Sequence, residues 1–255
     1  MNRKNARGPL LRSVAVGLVI LSLLLSAITG CGQDKTDVKI MAAASLSDAF
    51  LEITEAFEAQ TGLKTSLYSA GSATLATQII EGANADVIAL ANEQTMDRIV
   101  VSEQVAPEYR IQIFASNHLV LVTPLGNPAS ILSFADTVGK KIAVCAPAVP
   151  CGSLSYAFAE QEGIELNPAS VEPNVRSVRT KVELGEVDAG LIYKTDVTAG
   201  LEVIEIPELE SLTTMYPIAV INGADLTAVG FIDFVLSEAG QAILGRYGFE
   251  RPYEN

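Results

Sequence analysis

The sequence predicts an α/β protein of two lobes, each a mainly parallel sheet flanked by helices, and three observations predict it. Short β-rich runs alternate with helix-sized segments in the order βαβαβ, which puts parallel strands beneath covering helices. The chain that follows the first thirty residues, 225 of 255, is long for one such unit and comfortable for two. No internal repeat or low-complexity tract interrupts the pattern.

The N-terminal thirty residues differ from the rest. Arg3, Lys4, Arg7 and Arg12 precede an uncharged, mostly apolar run from Ser13 to Gly30, the layout of a secretory signal. About eighteen such residues would also serve as a short permanent membrane span. Ile28-Thr29-Gly30-Cys31 argues for cleavage instead, because small residues directly before a cysteine resemble the bacterial lipobox, with Cys31 as the new lipid-bearing N-terminus. One acyl chain holds a protein marginally and two or more hold it firmly. The expectation is a signal peptide over residues 1–30 and a tether over residues 31–37, holding the protein on the outer face of the cell membrane.

Cleavage removes four basic and no acidic residues from a chain with 17 basic and 30 acidic ones, leaving a net charge of −17. That excludes nucleic acid and anionic membrane surfaces as partners. It does not exclude a small anion, because a buried site is governed by the dipoles that touch the ligand, and exposed carboxylates are screened within about 8–10 Å.

Along the remaining chain, β-rich runs predict strands at Val38–Ala43, Leu63–Tyr68, Val87–Leu90, Leu119–Thr123, Lys141–Cys145, Gly190–Tyr193, Val203–Ile206 and Pro217–Ile221. Helical patterns cover Ser45–Gln60, Ser72–Glu81, Glu93–Val101, Gly152–Gln161, Val175–Leu184 and Ala228–Tyr247, several opening on Ser or Asn and closing near Gly. Extended apolar stretches at Ser116–Val122 and Met215–Val220 are the candidates for chain crossings between lobes. They divide the protein into residues 38–116 plus 218–255 and residues 117–217. Beyond Cys31 the cysteines are Cys145 and Cys151, flanking Ala-Pro-Ala-Val-Pro. In a secreted chain a disulfide is the natural pairing, and closing so short a loop contributes about 2 kcal/mol by chain entropy. Two buried thiols or a metal site are the alternatives; the single histidine, His118, leaves a metal short of ligands.

In open α/β sheets ligands sit beyond the carboxyl ends of strands, at helix N-termini. Ser45 follows a strand and three alanines and opens a helix, with Asp48 three residues on as in a capping box. Ser72 repeats that grammar after Tyr68-Ser69-Ala70-Gly71. A hydroxyl can accept from its helix and still donate its one proton to an anion in front of it. First-turn amides and the helix dipole point the same way. Such a site offers donors only, so it suits a fully ionised oxyanion and gives nothing to a partly protonated phosphate. The turns Ala146–Ser153 and Pro173–Arg179 face these from the second lobe, adding the amides of Cys151 and Val175, and Tyr193 adds a phenol at a strand end. Taken singly, Ser45 reads equally well as a plain helix cap and Tyr193 better as a buried tyrosine with a satisfied hydroxyl. Arg176 and Arg179 read as surface residues facing solvent or a carboxylate. Asp86 reads as structural, because a carboxylate aimed at a dianion would repel it.

Seven blocks in order, Ala42-Ala43-Ala44-Ser45-Leu46, Gly71-Ser72-Ala73-Thr74-Leu75, Ala85-Asp86-Val87, Val149-Pro150-Cys151-Gly152, Asn174-Val175-Arg176, Gly190 through Asp196, and Arg246-Tyr247-Gly248-Phe249, resemble the molybdate-binding proteins of ABC importers along essentially the whole mature chain. The resemblance implies a hinged two-lobe receptor of the periplasmic-binding-protein fold (type II, Venus-flytrap) with its ligand in the interlobe cleft. It implies that the oxyanion meets the hydroxyls of Ser45 and Ser72, main-chain amides around Ser45, Ser72, Cys151 and Val175, and the Tyr193 hydroxyl. Many members carry Ala where this chain has Cys151. It further implies molybdate or tungstate as ligand with no other cofactor, a membrane permease and through it an ATPase as partners, and a monomer without catalytic turnover. Two other readings stand beside it. A receptor for sulfate or another tetrahedral oxyanion would share the architecture. A serine hydrolase needs a base beside its nucleophile; only His118 is available and no Gly-x-Ser-x-Gly elbow occurs.

Overall fold

The structure, a computed structural model, describes residues 37–252. The signal segment, Cys31 with its expected lipid, and the tether up to residue 36 lie outside the described residues. Nine strands and eight α-helices alternate along the described residues: β1 Val38–Ala43, α1 Ser47–Thr61, β2 Thr65–Ala70, α2 Ser72–Ile80, β3 Val87–Ala89, α3 Glu93–Val101, β4 Gln112–Pro124, β5 Ile142–Cys145, α4 Pro150–Gln161, β6 Ser170–Glu172, α5 Val175–Glu183, β7 Ala189–Tyr193, β8 Leu201–Ile204, α6 Pro207–Glu210, β9 Thr213–Val220, α7 Leu226–Leu236 and α8 Glu238–Arg246.

The strands follow the order β2-β1-β3-β9-β4-β7-β5-β6, with β8 on β4. β2, β1 and β3 are mutually parallel, as are β6, β5 and β7. Between these two parallel groups lie β9 and β4, antiparallel to their neighbours and to each other. Gln112 to His118 of β4 pair with β9, while Leu119 to Pro124 pair with β7 and β8. The fold is thus a two-lobed α/β architecture whose halves are joined by a pair of strands in the regions read as chain crossings.

Burial explains which strands run where. In β1 every residue but Lys39 is buried, as a strand covered on both faces requires. One side of the first parallel group is closed by aromatic packing: Phe50 and Phe57 of α1 meet Phe114, Phe231 and Phe234, with ring centroids 5.3–6.1 Å apart. Burying each such ring stabilises by about 1.5–3 kcal/mol, and two of these rings lie on α7, so the C-terminal tail is anchored to the N-terminal helix. Leu75, Ile79, Ile88, Met96 and Ile99 form a separate cluster that includes Met41 of β1. In the second half Phe134 and Phe158 pack at 4.7 Å.

Several sequence expectations change in detail. β4 is thirteen residues long rather than five, because polar Ser116, Asn117 and His118 are buried within it. The single C-terminal helix divides at Ser237, which has extended dihedrals and caps α8 by accepting from the Gly240 amide at 3.3 Å. β6 and α6 are additional, and α4 starts two residues early because Pro150 occupies its first position, where proline's missing N–H removes no helical bond. The capping box does not form. A 3₁₀ turn, Ala44–Leu46, precedes α1, and the Ser45 side chain makes no cap bond. Ser72 is the first residue of α2 and likewise does not cap it.

Candidate functional site

The ends of β1, β2, β5, β6 and β7 turn into helices around one cavity of about 10 Å³, lined by residues that include Ser45, Ser72, Cys151, Val175 and Tyr193. The structure therefore brings together all five residues singled out from the sequence. That is about the room one water-sized guest needs, far below the roughly 300–1,000 Å³ of pockets for drug-sized organic molecules, and it suits a small ion. No Lys, Arg, Asp or Glu is among the lining residues. Among the described residues no group of His, Cys, Asp and Glu is gathered as a cation site.

Donors converge on it from both parallel groups. Ser72 and Val175 are the first residues of α2 and α5, and Cys151 is the second of α4, positions whose N–H groups have no intrahelical acceptor. Each helix presents its positive dipole end there. The Ser72 hydroxyl oxygen accepts from the Ala91 amide at 3.1 Å, so its proton remains for another acceptor. Asn174 caps α5 through Ser177 N–H at 3.0 Å, which aligns the Val175 amide. Cys145 and Cys151 form a disulfide with Cα atoms 5.7 Å apart; it ties the end of β5 to the start of α4 and fixes the turn that carries Val149 and Pro150 into the lining. Gly152 is required there, because a Cβ would stand 1.9 Å from the Ala146 carbonyl oxygen.

Tyr193 is the most informative lining residue. It is 1% exposed and its buried hydroxyl has no hydrogen-bond partner among the described residues. The expectation of a satisfied tyrosine is thereby corrected. Burial above all, with the nearby Tyr216 and Asp196, raises its pKa well above the ordinary phenol value, so it remains a donor.

Charge lies just outside the lining. Asp196 closes the 3₁₀ turn after Tyr193 and is fully buried, 3.5 Å from Arg176 Nε and 4.0 Å from Arg179 Nη1. These contacts are close enough for attraction but do not meet hydrogen-bond geometry. Burial pushes the Asp196 carboxyl up to about 6 against the pull of the two guanidiniums. Arg176 also grips Asp48 of α1 with two bonds, at 3.1 and 2.6 Å, and that fork holds the Asp48 carboxyl below its usual range. Arg176 and Arg179 thus face carboxylates, one of them buried rather than superficial, and Asp48 serves an ion pair across the site instead of a helix cap. Asp86 is structural, accepting from the Lys39 amide at 2.7 Å.

Two residues escaped the sequence reading, as did the role of a third. Tyr216 of β9 bonds Ser45 Oγ at 3.0 Å, Asn117 of β4 reaches Tyr216 and Thr195, and Gly71 lies so close to Pro173 that a Cβ would stand 2.3 Å from its carbonyl oxygen. The only sequence signal for Tyr216 and Asn117 was a polar group inside a predicted crossing strand. His118, beside Asn117, is buried opposite Thr213 of β9.

The profile of bacterial extracellular solute-binding proteins matches residues 38–250. The chain belongs to that family. This solute-binding protein is 36% identical over 259 residues to the molybdate-binding protein ModA of Mycobacterium tuberculosis strain H37Rv, covering 94% of this chain and 98% of the relative. Its fold is shared by the periplasmic molybdate-binding protein of Azotobacter vinelandii, with a TM-score of 0.68 at 17% identity over 85% of this chain and 100% of that one. The sulfate-binding protein SubI of M. tuberculosis H37Rv has a TM-score of 0.72 at 17% identity, covering 85% and 87%.

Proposed function

We propose that this solute-binding protein captures molybdate, and with it tungstate, outside the cell membrane and hands it to an ABC permease driven by an ATPase, without catalytic turnover. The observation that carries the reading is the Tyr193 hydroxyl, buried without a partner among the described residues beside helix N-termini and two serine hydroxyls. Such a group costs about 1–3 kcal/mol and persists when a ligand uses it. The ModA relative at 36% identity supports the choice of anion. A tetrahedral dianion satisfies donors from both sides at once, and each donor to a charged acceptor contributes about 1.5–3 kcal/mol before ordering costs.

In this reading residues 38–116 with 218–255 form one lobe and residues 117–217 the other, swinging about β4 and β9, with Ser45 and Ser72 facing Cys151, Val175 and Tyr193. The protein acts as a monomer, held at the membrane by lipid on Cys31. A hydrolase would need His118 beside a serine, and no hydrogen bond of its ring to any serine occurs among the described residues. Sulfate is smaller and leaves the donors too far apart; phosphate arrives protonated.

Titration calorimetry of the purified mature protein against molybdate, tungstate, sulfate and phosphate tests the reading. Tight binding of the first two, weakened in Ser45→Ala and Ser72→Ala, is expected; sulfate bound more tightly than molybdate would overturn it.

A further inference from the structure

The proton of the Ser45 hydroxyl has a definite direction, and the hydrogen bonds behind it set that direction. Asn117 Oδ1 accepts from the His118 main-chain N–H at 3.0 Å, which decides which end of the amide is which. Its Nδ2 therefore donates, to Thr195 Oγ1 at 2.8 Å and to the Tyr216 hydroxyl at 3.4 Å. Tyr216 is completely buried, and among the described residues its hydroxyl has two partners, Asn117 and Ser45. A phenol carries one proton, and an amide nitrogen has no lone pair to receive it. The proton must go to Ser45 Oγ, 3.0 Å away. The reverse arrangement, with Ser45 donating, strands a buried phenol proton without an acceptor, which folded proteins avoid. Ser45 Oγ thus accepts from behind, and no other group among the described residues takes its own proton.

We propose that Tyr216 is a positioning residue that locks the Ser45 hydroxyl as a donor toward the cavity, so that the site selects oxyanions that carry no proton. The second serine is arranged in the same way by different means, its oxygen occupied by the Ala91 amide. Both hydroxyls therefore keep their proton for the guest, with one of the two lone pairs of each already taken from within the protein. A protonated oxyanion brings its hydrogen against theirs. This inference rests on the oxyanion reading above and adds to it the group that sets the discrimination.

Tyr216→Phe tests it, because the ring that packs edge-on against Phe114, Tyr193 and Phe249 is kept and only the hydroxyl is lost. Dissociation constants for molybdate and for hydrogen phosphate are measured by calorimetry, at slightly alkaline pH, in the wild type, Tyr216→Phe, Ser45→Ala and the double variant. With the phenol gone, Ser45 is free to turn. The expected result is molybdate binding weakened about tenfold, a molybdate-to-phosphate preference that narrows by a similar factor, and almost no further loss when Tyr216→Phe is added to Ser45→Ala, since groups acting through one path are not additive. An unchanged molybdate constant in Tyr216→Phe would sink the proposal. So would an equal weakening toward both anions that persists in the Ser45→Ala background, the pattern of a merely structural role. If Ser45→Ala binds too weakly to titrate, the preference measured in Tyr216→Phe decides alone. Failure of the wild type to bind molybdate would instead remove the functional reading beneath it, and the two failures are told apart by the wild-type titration.

Discussion

At Tyr193 stability and ligand capture pull in opposite directions. Its hydroxyl, partnerless among the described residues, destabilises the ligand-free protein, so Tyr193→Phe should raise the unfolding free energy of the ligand-free form in urea titrations by about 1 kcal/mol, while weakening molybdate binding about tenfold or more. A less stable variant with unchanged affinity would show that the hydroxyl has another partner. Asp196 gives a pH signature. Its pKa is raised to about 6 from 3.8, so between those values the native state binds more protons than the unfolded state, and stability from this group falls as pH rises. The penalty is absent below about 3.8 and complete above about 6. Asp196→Asn removes it, and the variant's stability relative to wild type should therefore improve from about pH 4 to about pH 6.5 in denaturant titrations. A difference that is flat across that range would mean the carboxyl titrates normally. The serines show where sequence reasoning stops at this scale. That Ser45 and Ser72 come to one cavity was legible from a repeated strand, small residue, serine, helix pattern. Which way their hydroxyls point was not, because the partners are distant in sequence: Tyr216 lies 171 residues beyond Ser45.

Element by element, the alternation of strands and helices was legible because each strand is a short apolar run and each major helix has its own buried stripe. Ends were less so. α1 begins after a 3₁₀ turn that no composition marks, and the C-terminal helical pattern continues apolar through a break at Ser237 that only the backbone reveals. The turn before α2 carries the sharpest consequence. Gly71 has φ −61° and ψ 138°, dihedrals that any residue adopts, so its requirement is spatial: an added Cβ meets the Pro173 carbonyl oxygen of the β6–α5 turn at 2.3 Å. Gly71→Ala should leave each half folded and keep the halves apart. Solution scattering in saturating molybdate should report a larger radius of gyration than wild type, together with at least tenfold weaker binding, taking about 1.4 kcal/mol per decade. A variant that compacts like the wild type would show that the two turns do not meet on closure.

Across the whole molecule, a chain of net charge −13 would, in the proposed function, meet a dianion through a cavity with no charged lining residue. Like charges slow the encounter, and salt screens them. The association rate should therefore rise with ionic strength, the reverse of an electrostatically steered receptor, and stopped-flow tyrosine fluorescence can follow it because the chain has no tryptophan. A rate that falls with salt would point to local positive potential at the mouth of the cleft. The two strands that join the halves have a further consequence. Thr214 and Tyr216 project from the same side of β9, two residues apart; Tyr216 holds Ser45, and Thr214 bonds the carbonyl of Ala91, whose amide holds Ser72. A slip of that strand by a single position would swing both away together. Its alignment therefore works like the key of a musical instrument, in which one displaced string detunes the whole chord.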